Sequence, residues 1–259
     1  MKTSYLILIS LLITSCGIKR NTFIAPLPNN PMFTEKGDVT FNSAASPTHI
    51  EFQGSCAITN HLGITVGRFY GGSPRKSDEI GINAYTRVYK SLYFSTGFGW
   101  GKTAINNKHE SAFISNENIN VRVNYNTLFV HPALYLVLQD EDMDATTRVG
   151  ISFKYGINTL NDYYYYTFEN EWHSSRLSEE TIITADRQRF FSISPLLSVE
   201  RSIGNFTVGI HTGLALTSSF KASFQYHTPN SSWNNRDYFI QEDLYYLPFV
   251  FSGYIGIRL

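Results

Sequence analysis

The last part of the chain alternates between apolar and mixed positions. Counted back from Leu259 in steps of two, every position as far as Tyr245 carries a large apolar side chain except Gly253. The positions between them are of mixed polarity and include Arg258. Because successive side chains of a strand point to opposite faces, residues 244–259 are predicted to form a β-strand with one apolar face.

This predicted strand is long, with sixteen residues from 244 to 259. Strands of globular proteins commonly have about 5–6 residues, whereas a strand that crosses the hydrocarbon core of a membrane needs about 9–11 at a tilt near 45°. Lipid provides no hydrogen-bond partner for an open sheet edge. If the strand faces lipid, the chain is therefore expected to close into a barrel.

The same alternation recurs along the chain and predicts about ten strands, within a range of about eight to twelve. They cover residues 39–43, 49–58, 62–69, 80–88, 92–100, 120–138, 149–157, 189–201, 206–218 and 244–259. Within 120–138 the pattern places Val121 on an apolar, outward face and Arg122 on a polar, inward face. The apolar phase changes after Leu128, which favours a β-bulge near Pro132.

The links between the predicted strands are alternately short and long. The short links are 60–61, 90–91, 139–145 and 202–205, and the long links are 71–79, 103–119, 158–187 and 221–241. Short periplasmic turns and longer external loops are typical of outer-membrane barrels. The chain is therefore predicted to be all-β, with a closed antiparallel transmembrane β-barrel over residues 37–259 and a periplasmic N-terminus. A sandwich of lipid-anchored soluble sheets is the alternative.

Residues 1–15 have the pattern of a secretory signal peptide. Lys2 is followed by an apolar segment, 5–13, that is too short to span a bilayer. The next residues, Ile13-Thr14-Ser15-Cys16-Gly17, resemble the lipobox of bacterial lipoproteins, which implies acylation of Cys16 by a fatty acid such as palmitate. An ordinary signal peptide that contains a cysteine is the alternative. Residues 16–36, with three prolines, are then predicted to be a lipidated tether.

The composition fits an aromatic-rich barrel. Aromatic residues make up 15% of the chain and charged residues only 16%, against about 25% charged residues in typical soluble proteins. The net charge is zero, so no electrostatic feature favours nucleic acid as a partner. Cys56 lies in phase with Ile50 and is interpreted as a small apolar residue on a strand.

Residues 29–70 carry three short motifs. Asn29-Asn30-Pro31-Met32 precedes the turn Glu35-Lys36-Gly37-Asp38, and a later strand ends in Thr59-Asn60-His61-Leu62-Gly63. This stretch resembles the opening of a group of uncharacterised outer-membrane barrel lipoproteins from Bacteroidota. The resemblance implies a barrel fold and a location in the bacterial outer membrane. It implies no activity and no catalytic residue.

Eight ionisable side chains are predicted to face the barrel interior. They are Glu51, Arg87, Arg122, Arg148, Lys154, Glu200, His211 and Arg258. Charges of both signs inside a narrow barrel commonly pair, which offsets the cost of burying them. A structural polar network is therefore expected. A small selective channel is the alternative, although open lumens belong to barrels of about 16 or more strands.

No catalytic or metal site is predicted. His211 is a candidate base for a lipid- or peptide-cleaving enzyme, but no motif identifies a nucleophile or an orienting acid, and Ser198 is one of several serines on polar strand faces. The histidines show no pair at ligand spacing. Residues 139–144 resemble the opening of a calcium loop, but Ala145 and Ile151 stand where such a loop has its glycine and its bidentate glutamate. No cofactor is expected apart from the covalent lipid on Cys16.

The predicted loops 158–187 and 221–241 are rich in aromatic residues. The first contains Tyr163, Tyr164, Tyr165, Tyr166 and Trp172. Exposed tyrosine and tryptophan supply rigid amphipathic contact area, which makes these residues a possible external binding loop. An aromatic girdle at the membrane surface is the alternative.

These patterns favour a non-catalytic outer-membrane lipoprotein with a structural or interaction role. Its expected partners are outer-membrane lipid and an envelope or extracellular partner contacted through 158–187 and 221–241. Two alternatives remain open. A small channel or transport accessory predicts a conductance that changes when Arg87 or Arg122 is neutralised, and a barrel-embedded enzyme requires His211.

Overall fold

A computed structural model describes residues 30–46, 49–71, 75–110, 116–140, 143–170, 179–185, 187–218, 220–227, 234–240 and 249–259. These residues form fourteen β-strands. They are β1 (Val39–Ser46), β2 (His49–Ala57), β3 (Leu62–Gly71), β4 (Arg75–Tyr89), β5 (Leu92–Glu110), β6 (Asn116–Asp140), β7 (Ala145–Asn170), β8 (Glu179–Ala185), β9 (Arg189–Ile203), β10 (Phe206–Leu214), β11 (Leu216–Thr217), β12 (Phe220–His227), β13 (Asn234–Ile240) and β14 (Phe249–Arg258). The described part of the chain contains no helix long and apolar enough to cross a membrane.

Ten of these strands close into an antiparallel barrel. Strands β1 to β7 pair in chain order, β9 pairs with both β7 and β10, and β14 closes the ring between β10 and β1. The predicted all-β fold, with a closed antiparallel barrel of about ten strands, is confirmed. The alternative of a two-sheet sandwich is wrong, because the first and last strands pair directly from Thr40 with Arg258 onward.

The ring closes with a stagger that fixes the strand tilt. Starting from Phe206 on β10, the cross-strand partners lead from strand to strand once around the barrel to Phe191 on β9. The Phe191 carbonyl accepts a hydrogen bond from the backbone of Ser218, so the path returns to the chain twelve residues beyond its start at Phe206. With a rise of ~3.3 Å per residue and ~4.8 Å between strands, this stagger tilts the strands by about 40° to the barrel axis.

The barrel wall is apolar outside and polar inside. On β2, Ile50 and Phe52 are exposed, while Glu51 and Gln53 are buried. On β6 the exposed, outward side chains run from Leu128 to Leu138, and those that alternate with them face the interior. This arrangement is the reverse of a soluble barrel, whose apolar side chains fill its interior.

Beyond one end of the barrel, the sheet continues and its polarity is reversed. The later part of β7 leaves β9 and pairs with β8, to which β12 and then β13 are added. In this projecting sheet the inward side chains Val121, Val123 and Tyr125 are buried, while the Arg122 side chain is 57% exposed on the outer face. We call this end the extended end. The opposite turn end holds the short connections 58–61, 90–91 and 204–205.

This reversal corrects the prediction for β6. The alternation predicted that Val121 lies on the outer face and Arg122 on the inner face. It also predicted that the change of phase after Leu128 is caused by a bulge near Pro132. Around Pro132 the pairing with β7 keeps one register, from Val130–Tyr155 to Ala133–Ser152. The strand is regular there, and the apolar side chains change face because their surroundings change.

The observed bulge lies farther toward the extended end. Asn124 pairs with Asp162, and the next residue, Tyr125, pairs with Leu160, so Asn161 is the extra residue on β7. The predicted long loops 103–119, 158–187 and 221–241 are also mostly strand. β5 continues to Glu110 and β6 starts at Asn116, and β7 continues to Asn170. β8 follows within 158–187, and most of 221–241 is β12 and β13.

Candidate functional site: the closed interior of the barrel

Among the described residues, Glu200 is the centre of the largest ionic cluster inside the barrel. Its Oε1 accepts hydrogen bonds from Arg148 Nη1 at 3.2 Å and from Arg258 Nη2 at 3.0 Å, and its Oε2 accepts one from the Tyr254 hydroxyl at 3.0 Å. Arg148 is the direct cross-strand partner of Glu200. Tyr254 reaches Glu200 from two strands away, across Gly209, which pairs with both residues.

The two arginines of this cluster have further polar neighbours. Arg148 Nη1 donates to the Ser202 hydroxyl at 3.1 Å, and Arg258 Nη1 lies 3.6 Å from Asp38 Oδ2. Two guanidinium groups therefore face two carboxylates, and the cluster is balanced in charge. Because removal of one member of a buried pair leaves its partner uncompensated, these side chains depend on one another.

A second ionic cluster joins β7 to β4. Lys154 Nζ donates to both carboxylate oxygens of Glu79 at 2.6 Å and lies 4.5 Å from the centre of the Phe129 ring. With Glu51 and His131, Lys154 and Glu79 line a cavity of about 10 Å³, enough for about one water molecule. This cavity is too small for a solute larger than water.

Ser198 and His211 form a buried pair that the sequence pattern did not single out. The Ser198 hydroxyl lies 2.8 Å from His211 Nδ1, and the imidazole stacks on the Tyr254 ring with 4.5 Å between centroids. A nucleophile beside a base is one requirement for covalent catalysis. Ser198 is only 1% exposed and His211 3%, and among the described residues no carboxylate or amide bonds His211. The pair lacks both an orienting group and access for a substrate.

The turn end of the barrel is filled by residues 30–34, which we call the N-terminal segment. Met32 and Phe33 are each 1% exposed. Met32 packs on Tyr135 and Val137, and Phe33 packs on Ala57 and Tyr85. The final part of the predicted tether therefore lies inside the barrel. Its prolines and lack of alternation gave no indication of this position.

Two interior side chains hold the backbone of the N-terminal segment. The Tyr135 hydroxyl donates to the Phe33 carbonyl at 2.5 Å, and Arg258 Nη2 donates to the Pro31 carbonyl at 2.7 Å. Thr34 follows, and both its amide and its hydroxyl donate to Asp38. Because Arg258 also bonds Glu200, the segment is tied directly to the larger ionic cluster.

An apolar cluster fills the extended end. Its buried members come from five barrel strands and from β8 and are Phe69, Ile105, Val121, Val123, Tyr125, Leu160, Tyr163, Tyr165, Ile183, Ala185 and Phe190. Tyr125 packs edge-on against Phe190, with 5.5 Å between ring centroids. The interior is therefore packed at both ends.

The structure separates the residues that the sequence had grouped as interior. Glu51, Arg148, Lys154, Glu200, His211 and Arg258 are buried inside the barrel. Arg122 lies outside and pairs with Asp162 at 2.7 Å. Arg87 is exposed beside the 90–91 turn, where it donates to the Lys90 carbonyl. Arg87 is exposed, unlike the buried interior residues, because it lies near the end of β4, where the barrel wall no longer encloses the side chain.

The tyrosines of the predicted external binding loop are divided between the buried and the outer face of β7. Tyr163 and Tyr165 are buried in the apolar cluster, whereas Tyr164 and Tyr166 are only partly covered, because these four residues alternate on a strand. Arg122 lies 5.8 Å from the centre of the Tyr164 ring. Trp172 and Cys16 lie outside the described residues. The observed strand therefore leaves two of the four tyrosines for external contacts.

Within the described ranges, no three His, Cys, Asp or Glu side chains come together as metal ligands. Comparisons of the chain with protein-family models and with curated proteins find no match. The resemblance to Bacteroidota lipoproteins therefore stays a prediction.

Proposed function

We propose that the protein is a lipoprotein of the bacterial outer membrane, anchored by a lipid on Cys16, whose closed barrel has a non-catalytic structural or interaction role. The observation that carries the proposal is the apolar outer band of the barrel. It is continuous around the wall, and polar side chains bound it at the extended end.

The height of the apolar band matches a membrane. Outward runs that are apolar except for Thr86 and Thr96 cover nine residues on β4 (80–88), on β5 (92–100) and on β7 (149–157), and eleven on β6 (128–138). At a tilt near 40° and ~3.3 Å per residue, such runs span about 20–25 Å, close to the ~25 Å apolar band of outer-membrane barrels. Trp100 and Tyr70 lie at its edge toward the extended end, where interfacial aromatic residues are expected.

The packed interior favours a structural or interaction role over a channel. The N-terminal segment fills the turn end, the apolar cluster fills the extended end, and ion pairs occupy the space between them. An aqueous channel needs a continuous polar lumen, which belongs to barrels of about 16 or more strands.

The projecting sheet is the part of the protein suited to contacts in water. Its outer face carries polar side chains such as Asn124 and Arg122, and its apolar side chains are turned inward. In the proposed orientation the sheet stands outside the cell, with β8, β12 and β13 farthest from the barrel wall. We infer that an envelope or extracellular partner contacts the segments 158–187 and 221–241.

The proposal is tested by heat modification and by one matched pair of variants. A closed membrane barrel in mild detergent resists unfolding until it is boiled, so unheated and boiled samples are expected to migrate differently on a gel. Leu134→Arg places a charge in the apolar band, where it costs about 2–4 kcal/mol near the bilayer midplane, and it should strongly reduce folding into vesicles. Asn124→Arg, on the same strand and face but in the projecting sheet, should fold like the parent protein.

The opposite result would contradict the proposal. If the unlipidated protein is soluble in water, shows no heat-dependent shift and tolerates both substitutions equally, the barrel is not a membrane barrel. Acylation is tested separately by mass spectrometry of the mature N-terminus, with Cys16→Ala as the control that abolishes the modification.

A further inference from the structure

A row of charged side chains lies directly beside the apolar band on the outer wall of β3, β4 and β5. Val66, Ile80 and Trp100 pair across these strands and form the last apolar row. Two residues farther toward the extended end, Arg68, Asp78 and Lys102 pair in the same way. Side chains two residues apart share a face, so the two rows are adjacent on the outer wall.

The acidic residue of the charged row is already neutralised. Arg68 binds both oxygens of Asp78, through Nε at 2.5 Å and through Nη2 at 3.1 Å. The remaining amino group of Arg68, Nη1, lies 3.3 Å from the Tyr70 hydroxyl at the rim. The Asp78 carboxylate therefore contributes little net negative charge to this part of the wall.

Two exposed lysines lie next to this ion pair. Lys102 lies opposite Asp78, whose two oxygens are bound by Arg68, and neither Lys102 nor Lys76 forms an ion pair among the described residues. On the outer face of β4, Lys76 is the next side chain from Asp78 in the direction of the extended end. Lys76 pairs with Ala104, which is two residues from Lys102 on β5. Lys76 and Lys102 are thus diagonal neighbours, and diagonal positions are about 7–8 Å apart on one face of a sheet. Their ammonium groups are close enough to bind the same anionic group.

The corresponding position at the turn end is different. There the outward-facing Arg201 is paired with Asp140, at 3.5 Å between Nη2 and Oδ2. Unlike Arg201, Lys76 and Lys102 lie beside the apolar band without such an ion pair among the described residues, which gives the β3–β5 face at the extended end a local excess of positive charge.

We propose that Lys76, Lys102 and the outer edge of Arg68 form a docking site for a lipid with an anionic phosphate headgroup. This inference rests on the proposed membrane position of the barrel. The phosphate binds the two lysines, and the acyl chains lie along Val66, Ile80 and Trp100 immediately below. Charge complementarity selects an anionic group, and continuity with the apolar band selects a lipid over a soluble phosphate.

The test measures lipid binding to the full mature protein in detergent by native mass spectrometry. The probes are phosphatidic acid, which has a phosphate monoester, and phosphatidylcholine, whose headgroup has no net charge. We expect phosphatidic acid to be retained preferentially. Lys76→Gln combined with Lys102→Gln should weaken its binding by about 25-fold, roughly fivefold for each lysine near an anionic lipid surface.

The control is Lys36→Gln combined with Lys90→Gln, which removes two exposed lysines at the turn end and should leave the binding unchanged. Inorganic phosphate at millimolar concentration should not displace the lipid. Equal binding to both variants, equal retention of the two lipids, or displacement by inorganic phosphate would each overturn the lipid site. If the parent protein instead fails the heat-modification test, it is the proposed membrane function that fails.

Discussion

The Tyr254 hydroxyl reaches Glu200 across Gly209, and a side chain on Gly209 would occupy the space of the Tyr254 ring. Glu200 pairs with Gly209 in the sheet, and Gly209 pairs with Tyr254. An added Cβ at Gly209 would overlap the ring and hydroxyl of Tyr254. The absence of a side chain at one position therefore allows the contact between the other two.

Gly209→Ala is expected to destabilise the barrel. The tyrosine ring must move, which costs about 1–3 kcal/mol by overpacking, and its bond to Glu200 is lost or weakened. Gly253→Ala is the matched control, because a Cβ there meets only the Gly209 carbonyl oxygen at 4.0 Å. Urea unfolding in detergent, followed by tryptophan fluorescence, measures both changes. Equal loss of stability in the two variants would show that the close approach at Gly209 has no energetic importance.

Lys154→Met is expected to be much more damaging than Arg122→Met. Loss of Lys154 leaves Glu79 uncompensated inside the barrel, and breaking such a buried pair costs about 3–5 kcal/mol. Arg122 and Asp162 form an exposed pair, which typically contributes about 0–1 kcal/mol. The same unfolding measurement compares them. Unfolding of Lys154→Met at the same urea concentration as the parent protein would show that the buried Lys154–Glu79 pair does not stabilise the barrel.

Met32→Cys is expected to be protected from a water-soluble thiol reagent. Met32 is buried in the turn end, whereas Lys36 is exposed only four residues later. In a Cys56→Ser background, Lys36→Cys should react at the rate of a free thiol. Met32→Cys should react at least about 100-fold more slowly, because its labelling requires local opening of the structure. Similar rates would mean that the N-terminal segment does not occupy the barrel.

The alternation of the sequence predicts the barrel well, for a specific physical reason. A wall that is apolar outside and polar inside gives each strand a period of two, as in Ile151, Phe153 and Tyr155 on β7. The predicted last strand 244–259 is described over Phe249–Arg258 as β14, and 244–248 lie outside the described residues. This strand and the regular short turns limit the number and direction of the strands. These features are local, so the sequence displays them directly.

The projecting sheet was not predictable in the same way. Val121 and Leu128 are both apolar, but the first is buried inside the sheet and the second is exposed on the barrel wall. Alternation reports which residues share a face and does not report which face meets water. The change of environment within one continuous strand therefore has the same sequence pattern as a bulge.

The partners inside the barrel depend on register, which is not a local property. Ser198 meets His211 because β9 and β10 pair with those two residues opposite each other. Arg258 meets the Pro31 carbonyl across almost the whole length of the chain. Alternation places these residues in the interior, but their contacts follow only from the closed ring and from the entry of the N-terminal segment.

The most direct test of the account compares two positions on the outer face of β6, Leu134 and Arg122, which are twelve residues apart. A spin label is attached to Leu134→Cys or to Arg122→Cys in the Cys56→Ser background, and the protein is reconstituted in phospholipid vesicles. The label at 134 should be accessible to oxygen and shielded from a water-soluble nickel complex, and the label at 122 should show the opposite preference. A label at 134 that is as accessible to the nickel complex as the label at 122 would contradict the membrane position of the apolar band.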